Sequence, residues 1–464
     1  MPRPRARSRG GSAARTGTAA EAGRASPERR AALAVLRDVR RGARADESFA
    51  RRSAAIDPRT RPFLMELAYG AIRWRKRLRW ELARHLRKDL AALPADVLAI
   101  LELGAYQLRF MGGVPAWAAV DESVKLVRGE TPAKISRWAA GLVNAVLRNL
   151  ERDGPPEPPA DAAPAARLAI LHSHPEWMVE RWIARHGIHA TEALLAKNNV
   201  PPPLHLKVNR LRTDVEAVLG RLRDADVDAA PHPAKRDAIV IESGAAPEAL
   251  PGWDEGWFWV QDAGAQWVVE VAGNPAADRL LDACAAPGGK LMGLLERSPG
   301  ARAFALDVDP ARLARIRGAA ERLGLEGAHL AAGDARRPPT AARFPLVVAD
   351  VPCSGTGVLR RRVDARWRRR PEDLARFAAV QREILEGLAD RVTVGGALVY
   401  ATCSLEPEEN EEVVNAFLTD HPEYRIDPVA GRVPAALAHG PWLVTLPWRD
   451  AADGMFAARL VREG

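Results

Sequence analysis

After residue 261 short apolar runs, RLLDA, ARAFALD, AHLAA, PLVVAD and GALVYAT, alternate with amphipathic stretches such as DPARLARIRGAAERL, EDLARFAAVQREILEGLAD and PEENEEVVNAFL. Runs apolar on both faces are buried parallel strands, and strand–helix alternation of this kind closes into a doubly wound sheet with right-handed crossovers. This predicts an α/β Rossmann-like domain over residues 261–464, with the tail PWLVTLPWRDAADGMFAARLVR as a β-hairpin closing the sheet edge. In open α/β sheets ligands bind outside the carboxyl ends of the strands. All three cysteines of the chain, Cys284, Cys353 and Cys403, fall at such ends, so none is left over for ordinary core packing.

A chain of 464 residues exceeds one core, and the earlier part reads differently. Ser26 can cap a helix that begins at Pro27, with Ala32, Val35, Leu36 and Val39 as its apolar stripe. Helical periodicity without strands then continues to residue 152, which predicts a bundle over 26–152. The breaker DGPPEPPADAAPAA supplies a linker over 153–166, and mixed helices and short strands (LHLKVNR, AIVIES, WFWVQD) predict a small α+β module over 167–260. Residues 1–25 read as a disordered basic arm.

The net charge of +9 favours a polyanionic partner such as RNA, although arginine-rich coding explains it equally well. Unpaired cysteine spacing argues against a disulfide framework and a zinc module, so no metal centre is expected. No apolar run reaches the ~18 to 20 residues of a membrane span, and the N-terminal stretch has no secretory h-region. A cytoplasmic, monomeric protein without a membrane partner is the expectation. Arg73, Arg75, Lys76, Arg77 and Arg79, interleaved with Trp74 and Trp80, could track a phosphate backbone, but a solvated helix face with two core tryptophans is preferred.

The first strand of the sheet runs into CAAPGGK, where Gly288 and Gly289 let a ligand approach the backbone and a helix begins near Lys290. Asp307 ends the second strand, placed for the hydroxyls of a ribose, and Asp334 follows the third, within reach of an adenine amine. The spaced glycines of a pyrophosphate loop are absent. Each residue alone is an ordinary turn former or cap; together they point to S-adenosylmethionine.

Carbon 5 of cytosine is a poor nucleophile, and a thiolate adding to carbon 6 is one way to activate it. That chemistry needs a cysteine, a carboxyl group beside N3 of the base and a general base next to the methyl donor. Asp350, Cys353 and Cys403 sit at the ends of the fourth and fifth strands, and Lys290 is a candidate cation to favour the thiolate. Either cysteine could attack on this reading.

CAAPGGK, ALDVD, GDAR, ADVPCSGTGVLRR and VYATCSLEPEEN, in that order, resemble the successive motifs of the RNA (cytosine-5) methyltransferases of the Nol/Nop/Sun family. ELAYGAIRW, LELGAYQL, VPAWAAVDESVKLV and GLVNAVLRNL resemble the NusB-like RNA-binding domain fused to that catalytic domain in bacterial 16S rRNA members. The resemblance implies an all-α NusB-like bundle, a small α+β module and a Rossmann-like S-adenosylmethionine-dependent methyltransferase domain. It implies that Cys403 is the nucleophile, that Cys353 assists product release and that Asp350 contacts cytosine N3. Cofactor contacts fall on Cys284, Ala285, Ala286, Pro287, Gly288, Gly289 and Lys290 and on Asp307, Asp334 and Asp350.

Three positions depart from the family pattern: Val351 stands before Pro352 where alanine is usual, Leu291 where threonine is usual, and Lys207 where arginine is usual. Lys207 would turn a bidentate contact into a point charge. The run Arg360, Arg361, Arg362, Arg366, Arg368, Arg369 and Arg370, with Trp367 inside it, follows the Cys353 loop and is expected to meet the RNA backbone. The implied substrate is a cytidine in 16S rRNA, naked or partly assembled because the base must leave its stack. The alternatives are the same chemistry on tRNA or 23S rRNA, and a non-catalytic RNA-binding assembly factor.

Overall fold

The computed structural model describes residues 23–242, 246–273 and 278–463. All of the basic arm except residues 23–25 therefore lies outside the described residues. The chain divides after Pro158 into two compact units.

The first unit is helical: α1 (Pro27–Arg40), α2 (Ala45–Ser53), α3 (Arg61–Arg73), α4 (Arg75–Ala83), α5 (Ala95–Phe110), α6 (Ala116–Glu130) and α7 (Ala133–Asp153). The Ser26 hydroxyl caps α1 by accepting from the Arg29 backbone N–H, and Ala32, Val35, Leu36 and Val39 are buried. Around α5 lies the core, with Val97, Ile100, Leu101 and Leu103 inaccessible to solvent. Each such side chain contributes about 1.5–3 kcal/mol.

The basic segment at the α3–α4 junction is not a solvated face. Arg73 and Arg77 are buried, Arg77 pairs with Glu81 at 2.6 Å, and Arg79 reaches the buried Glu102 at 2.7 Å. Glu81 also takes Arg109, so one buried carboxylate ties α4 to α5. Trp74 stacks on Phe110, and Trp80 lies against the Arg77 and Arg84 guanidinium groups. The sequence could not reveal this, because the acidic partners of Arg79 and Arg109 lie a helix away.

The second unit opens with α8 (Pro164–Leu171), α9 (Glu176–His186) and α10 (Ile188–Asn199). Leu168, Met178, Trp182 and Leu194 on these helices share a core with Leu359, Ala365 and Leu405, so they pack on the loops around the cysteines. A separate four-stranded antiparallel sheet follows, built from β1 (Leu204–Val208), β2 (Ala229–Pro231), β3 (Ala238–Ile241) and β4 (Phe258–Val260) in the order β2-β3-β1-β4, with α11 (Val215–Asp224) against it. The ammonium of Lys207 stays buried and is held by both oxygens of Glu296 and by Asp237, a carboxylate contact in which a point charge suffices.

The main sheet is mixed. Its strands are β5 (Arg279–Asp282), β6 (Arg302–Asp307), β7 (Ala328–Ala332), β8 (Phe344–Asp350), β9 (Val392–Thr402), β10 (Tyr424–Ile426), β11 (Ala438–His439), β12 (Trp442–Thr445) and β13 (Met455–Arg462). They run in the order β11-β12-β13-β9-β8-β5-β6-β7, and β10 also pairs with β13. β7, β6, β5, β8 and β9 are parallel. The tail does fold back as an antiparallel β12–β13 pair, but β13 lies inside the sheet against β9, and β11 takes the edge. Helices α12 (Ala263–Ala272), α13 (Gly289–Arg297), α14 (Pro310–Leu323), α16 (Pro371–Ala389) and α17 (Glu411–Asp420), with the short α15 (Ala365–Arg368), complete the unit. Hydrophobic layers cover both faces of the sheet, as the unbroken apolar runs require. The strand order reverses between β5 and β8, which opens a crevice at their carboxyl ends. Among the described residues no helix is long and apolar enough to cross a membrane.

Candidate active site

The loop from Cys284 to Gly288 joins β5 to α13 over this crevice. Gly288 has φ +107°, and a Cβ there would press on Ile316 at 3.1 Å, so the turn requires glycine. Asp307, at the end of β6, is buried and accepts the Ala286 backbone N–H through one oxygen and the Asp309 N–H through the other. Asp307 thus holds the loop while keeping lone pairs for further donors. Asp334 stands on the rim, more exposed and paired with Arg336 at 2.6 Å. Lys290, on the first turn of α13, donates to Asp350 at the end of β8 at 2.6 Å. Burial works to lower the Lys290 ammonium, and the Asp350 carboxylate outweighs it and holds it above its ordinary value.

Asp282, the last residue of β5, was missed in the sequence because it reads as a strand-end turn former. It is buried, and neither carboxylate oxygen has a hydrogen bond of normal geometry. Burial, reinforced by Asp350, pushes its carboxyl up to about 7. Orphaned acceptors of this kind, the flanking Asp307 and Asp334, and the open amides at the α13 N-terminus fit a ligand that carries positive charge and several donors. S-adenosylmethionine is such a ligand, with its sulfonium, ammonium and ribose hydroxyls.

β8 and β9 are neighbours, with Asp350 opposite Ala401, so the two cysteine loops leave the sheet side by side. The sulfurs of Cys353 and Cys403 lie 3.1 Å apart, and the Cys403 backbone N–H donates to the Cys353 sulfur at 3.3 Å. The Gly357 N–H donates to the Cys403 carbonyl, and a Cβ at Gly357 would collide with the Gly454 backbone, which explains glycine in SGTG. The hydrogen bond from Cys353 lowers the Cys403 thiol below its ordinary value, with help from Arg362 and Lys290 against burial and Asp350. The same bond and burial push Cys353 well up. The sulfur–sulfur hydrogen bond thus moves the two thiols in opposite directions. Cys284, half-buried, packs against a hydrophobic layer of the sheet as Cys403 does, and burial together with Asp282, Asp350, Asp307 and Asp334 raises its thiol well above the usual range.

The arginine run after Cys353 is turned mostly inward. Arg360 and Arg366 are buried. Arg360 and Arg361 both bind Asp453 and Asp262. Arg366 donates to the carbonyls of Ser173 and Asn198 and to the Asn199 side chain, Arg368 pairs with Asp364, and Arg369 donates to the Ser354 carbonyl at 2.7 Å. These side chains fasten the Cys353 loop to α8–α10 and to the start of β13, which overturns the expectation that the run as a whole meets the RNA backbone. Glu406 does the same for the Cys403 loop, accepting from the Trp182 indole and from Arg181.

Comparison with known proteins agrees with this arrangement. Residues 272–461 match the family described as 16S rRNA methyltransferase RsmB/F, residues 26–152 match the NusB family, and residues 174–247 match the ferredoxin-like domain of RsmF/B-like methyltransferases. Ribosomal RNA small subunit methyltransferase B of Sodalis glossinidius (strain morsitans) is 38% identical over 413 residues, covering 88% of this chain and 92% of the relative. The protein of the same name from Pseudomonas syringae pv. tomato is 37% identical over 420 residues, with 88% and 90% covered. Among solved structures, that of PH0851 shares the fold with a TM-score of 0.78 at 22% identity over 94% of this chain and 99% of that one. NSun6 from Pyrococcus horikoshii, solved with SFG, gives 0.56 at 18% identity, over 63% of this chain and all of that one. The chain therefore belongs to the RsmB/F family of S-adenosylmethionine-dependent rRNA methyltransferases.

Proposed function

We propose that the protein methylates carbon 5 of a cytidine in 16S rRNA through a covalent bond between Cys403 and carbon 6 of the base. The observation that carries this reading is the 3.1 Å separation of two sulfurs beside the Lys290–Asp350 pair. The Cys403 thiolate adds to carbon 6 while N3 takes up a proton from solvent, Asp350 accepts the resulting N3–H, and electron density gathers at carbon 5. S-adenosylmethionine, when bound, supplies an electrophilic methyl group for that carbon. Loss of the carbon 5 proton to a water molecule then restores the carbon 5–carbon 6 double bond and expels the Cys403 sulfur as thiolate, N3 returns its proton to solvent, and Cys353 is in contact to assist. Lys290 holds Asp350 in place and favours the thiolate throughout. Loop residues Cys284 to Lys290, with Asp307 and Asp334, would hold the cofactor.

The target base has to leave its stack, at a cost of a few kcal/mol in duplex, so naked or partly assembled rRNA in the cytoplasm is the expected substrate. The NusB-like unit would supply RNA affinity. The test uses labelled S-adenosylmethionine and 16S rRNA from a strain lacking the modification, followed by nucleoside analysis and bisulfite mapping. Label in 5-methylcytidine at one position of 16S rRNA is the expected result. Label in tRNA or 23S rRNA would move the substrate, and no label on any RNA would leave a binding factor.

A further inference from the structure

Each of the two cysteines is followed by a serine, and both serines end on one side chain. Glu409 is fully buried beneath the loops. Its Oε1 accepts the Ser354 backbone N–H at 2.7 Å and the Gln381 amide at 3.0 Å, and its Oε2 accepts the Ser404 hydroxyl at 2.5 Å. The two serine hydroxyls lie 3.1 Å from each other. Asn410 braces the same turn, accepting from the Thr402 hydroxyl and donating to the Ser404 carbonyl. A buried carboxylate is costly unless its lone pairs are used, and here three donors from three segments of chain use them.

We propose that Glu409 is a positioning residue that sets the two cysteine loops against each other and confines the negative charge of the sulfur pair to Cys403. The proposal rests on the reading in which Cys403 attacks and Cys353 assists release. Its basis is the hydrogen bonding just described, through which Glu409 holds the Ser354 amide next to Cys353 and the Ser404 hydroxyl next to Cys403. After the sulfur–sulfur hydrogen bond and burial, the Glu409 charge adds to the opposition to a thiolate at Cys353, whereas Arg362 and Lys290 favour one at Cys403. The remaining ionisable groups that face the pair are Asp350, which opposes a thiolate at either sulfur, and Arg369 and Tyr400 toward Cys353. Arg369 donates to the Ser354 carbonyl and its charge is felt by both Cys353 and Glu409, so it works against the Glu409 effect. Burial raises the Glu409 carboxyl, and the Ser354, Ser404 and Gln381 bonds offset only part of that, so it stays above its ordinary value.

The test is made on the full-length protein without RNA or methyl donor. Limiting iodoacetamide is applied from pH 6 to 9, and the alkylated Cys353 and Cys403 peptides are counted by mass spectrometry. In the wild type Cys403 is expected to react at least roughly tenfold faster than Cys353 at pH 7, the ratio that one unit of thiol pKa gives. Glu409→Gln keeps the shape and removes the charge, and should bring the ratio close to one. Glu409→Asp keeps the charge and should retain most of the preference. An unchanged ratio in Glu409→Gln, or a loss in Glu409→Asp as complete as in Glu409→Gln, overturns the proposal. So does faster labelling of Cys353 in the wild type, a measurement that needs no variant to fold. A failure here leaves the cytosine-5 reading standing; methylation surviving in Cys403→Ala removes that reading without altering the thiol ratio.

Discussion

The Cys353 and Cys403 loops are close to twins in the chain and opposites in chemistry. Both follow a buried parallel strand, both place a cysteine before a serine, and both serines meet the same carboxylate. Their surroundings differ. The sulfur–sulfur hydrogen bond, Arg362 and Lys290 lower the Cys403 thiol, while the same bond, burial and the Glu409 carboxylate raise the Cys353 thiol. Under the proposed roles, the surroundings of each loop separate two thiols that lie in similar motifs.

The difference can be broken in graded steps. Cys403→Ala removes the attacking group, and the initial rate of methyl transfer to rRNA is expected to fall by at least roughly 10³-fold, as for other enzymes stripped of a nucleophile. A normal rate in that variant would place the attack elsewhere. Asp453→Ala leaves the guanidinium groups of the buried Arg360 and the part-buried Arg361 with Asp262 as their remaining carboxylate, and should cost about 3 kcal/mol in denaturant unfolding. If RNA affinity changed and stability did not, the inward reading of those arginines would be wrong. Lys290→Gln withdraws a cation from Cys403 and leaves Asp350 uncompensated, and both effects disfavour the thiolate. The thiolate is the reactive form and its fraction rises with pH. The acid limb of the rate profile should therefore move up by about one pH unit, with a roughly tenfold slower rate at pH 7. Arg362→Gln should shift it the same way by about half a unit or less. A limb that stays in place in both variants would contradict the electrostatic contrast between the two loops.

Much of this was legible in the sequence because it depends on local pattern. Unbroken apolar runs mark buried parallel strands and strand ends mark the crevice, as the observed sheet order has them, and CAAPGGK with Asp307 reads as a nucleoside cradle. What stayed hidden depends on partners distant in the chain. PEENEEVVNAFL reads only as an amphipathic stretch, yet Glu409 within it is buried and accepts from the amide of Ser354, 55 residues earlier. The arginine run reads as an RNA footprint, yet Arg366 finds its acceptors more than 160 residues away on α10. Asp282 was overlooked because nothing in RLLDA tells that its carboxyl is buried without a donor. Helical periodicity in α8–α10 shows that one face is apolar and says nothing of the cysteine loops that cover it.

The division of labour between the thiols is tested most directly with Cys353→Ala, incubated with 16S rRNA and S-adenosylmethionine, denatured and run on a gel. The account predicts a covalent protein–RNA band that persists, with the nucleotide mapped by mass spectrometry to the peptide of Cys403. A band of the same kind in Cys403→Ala, with the nucleotide on Cys353, would contradict it.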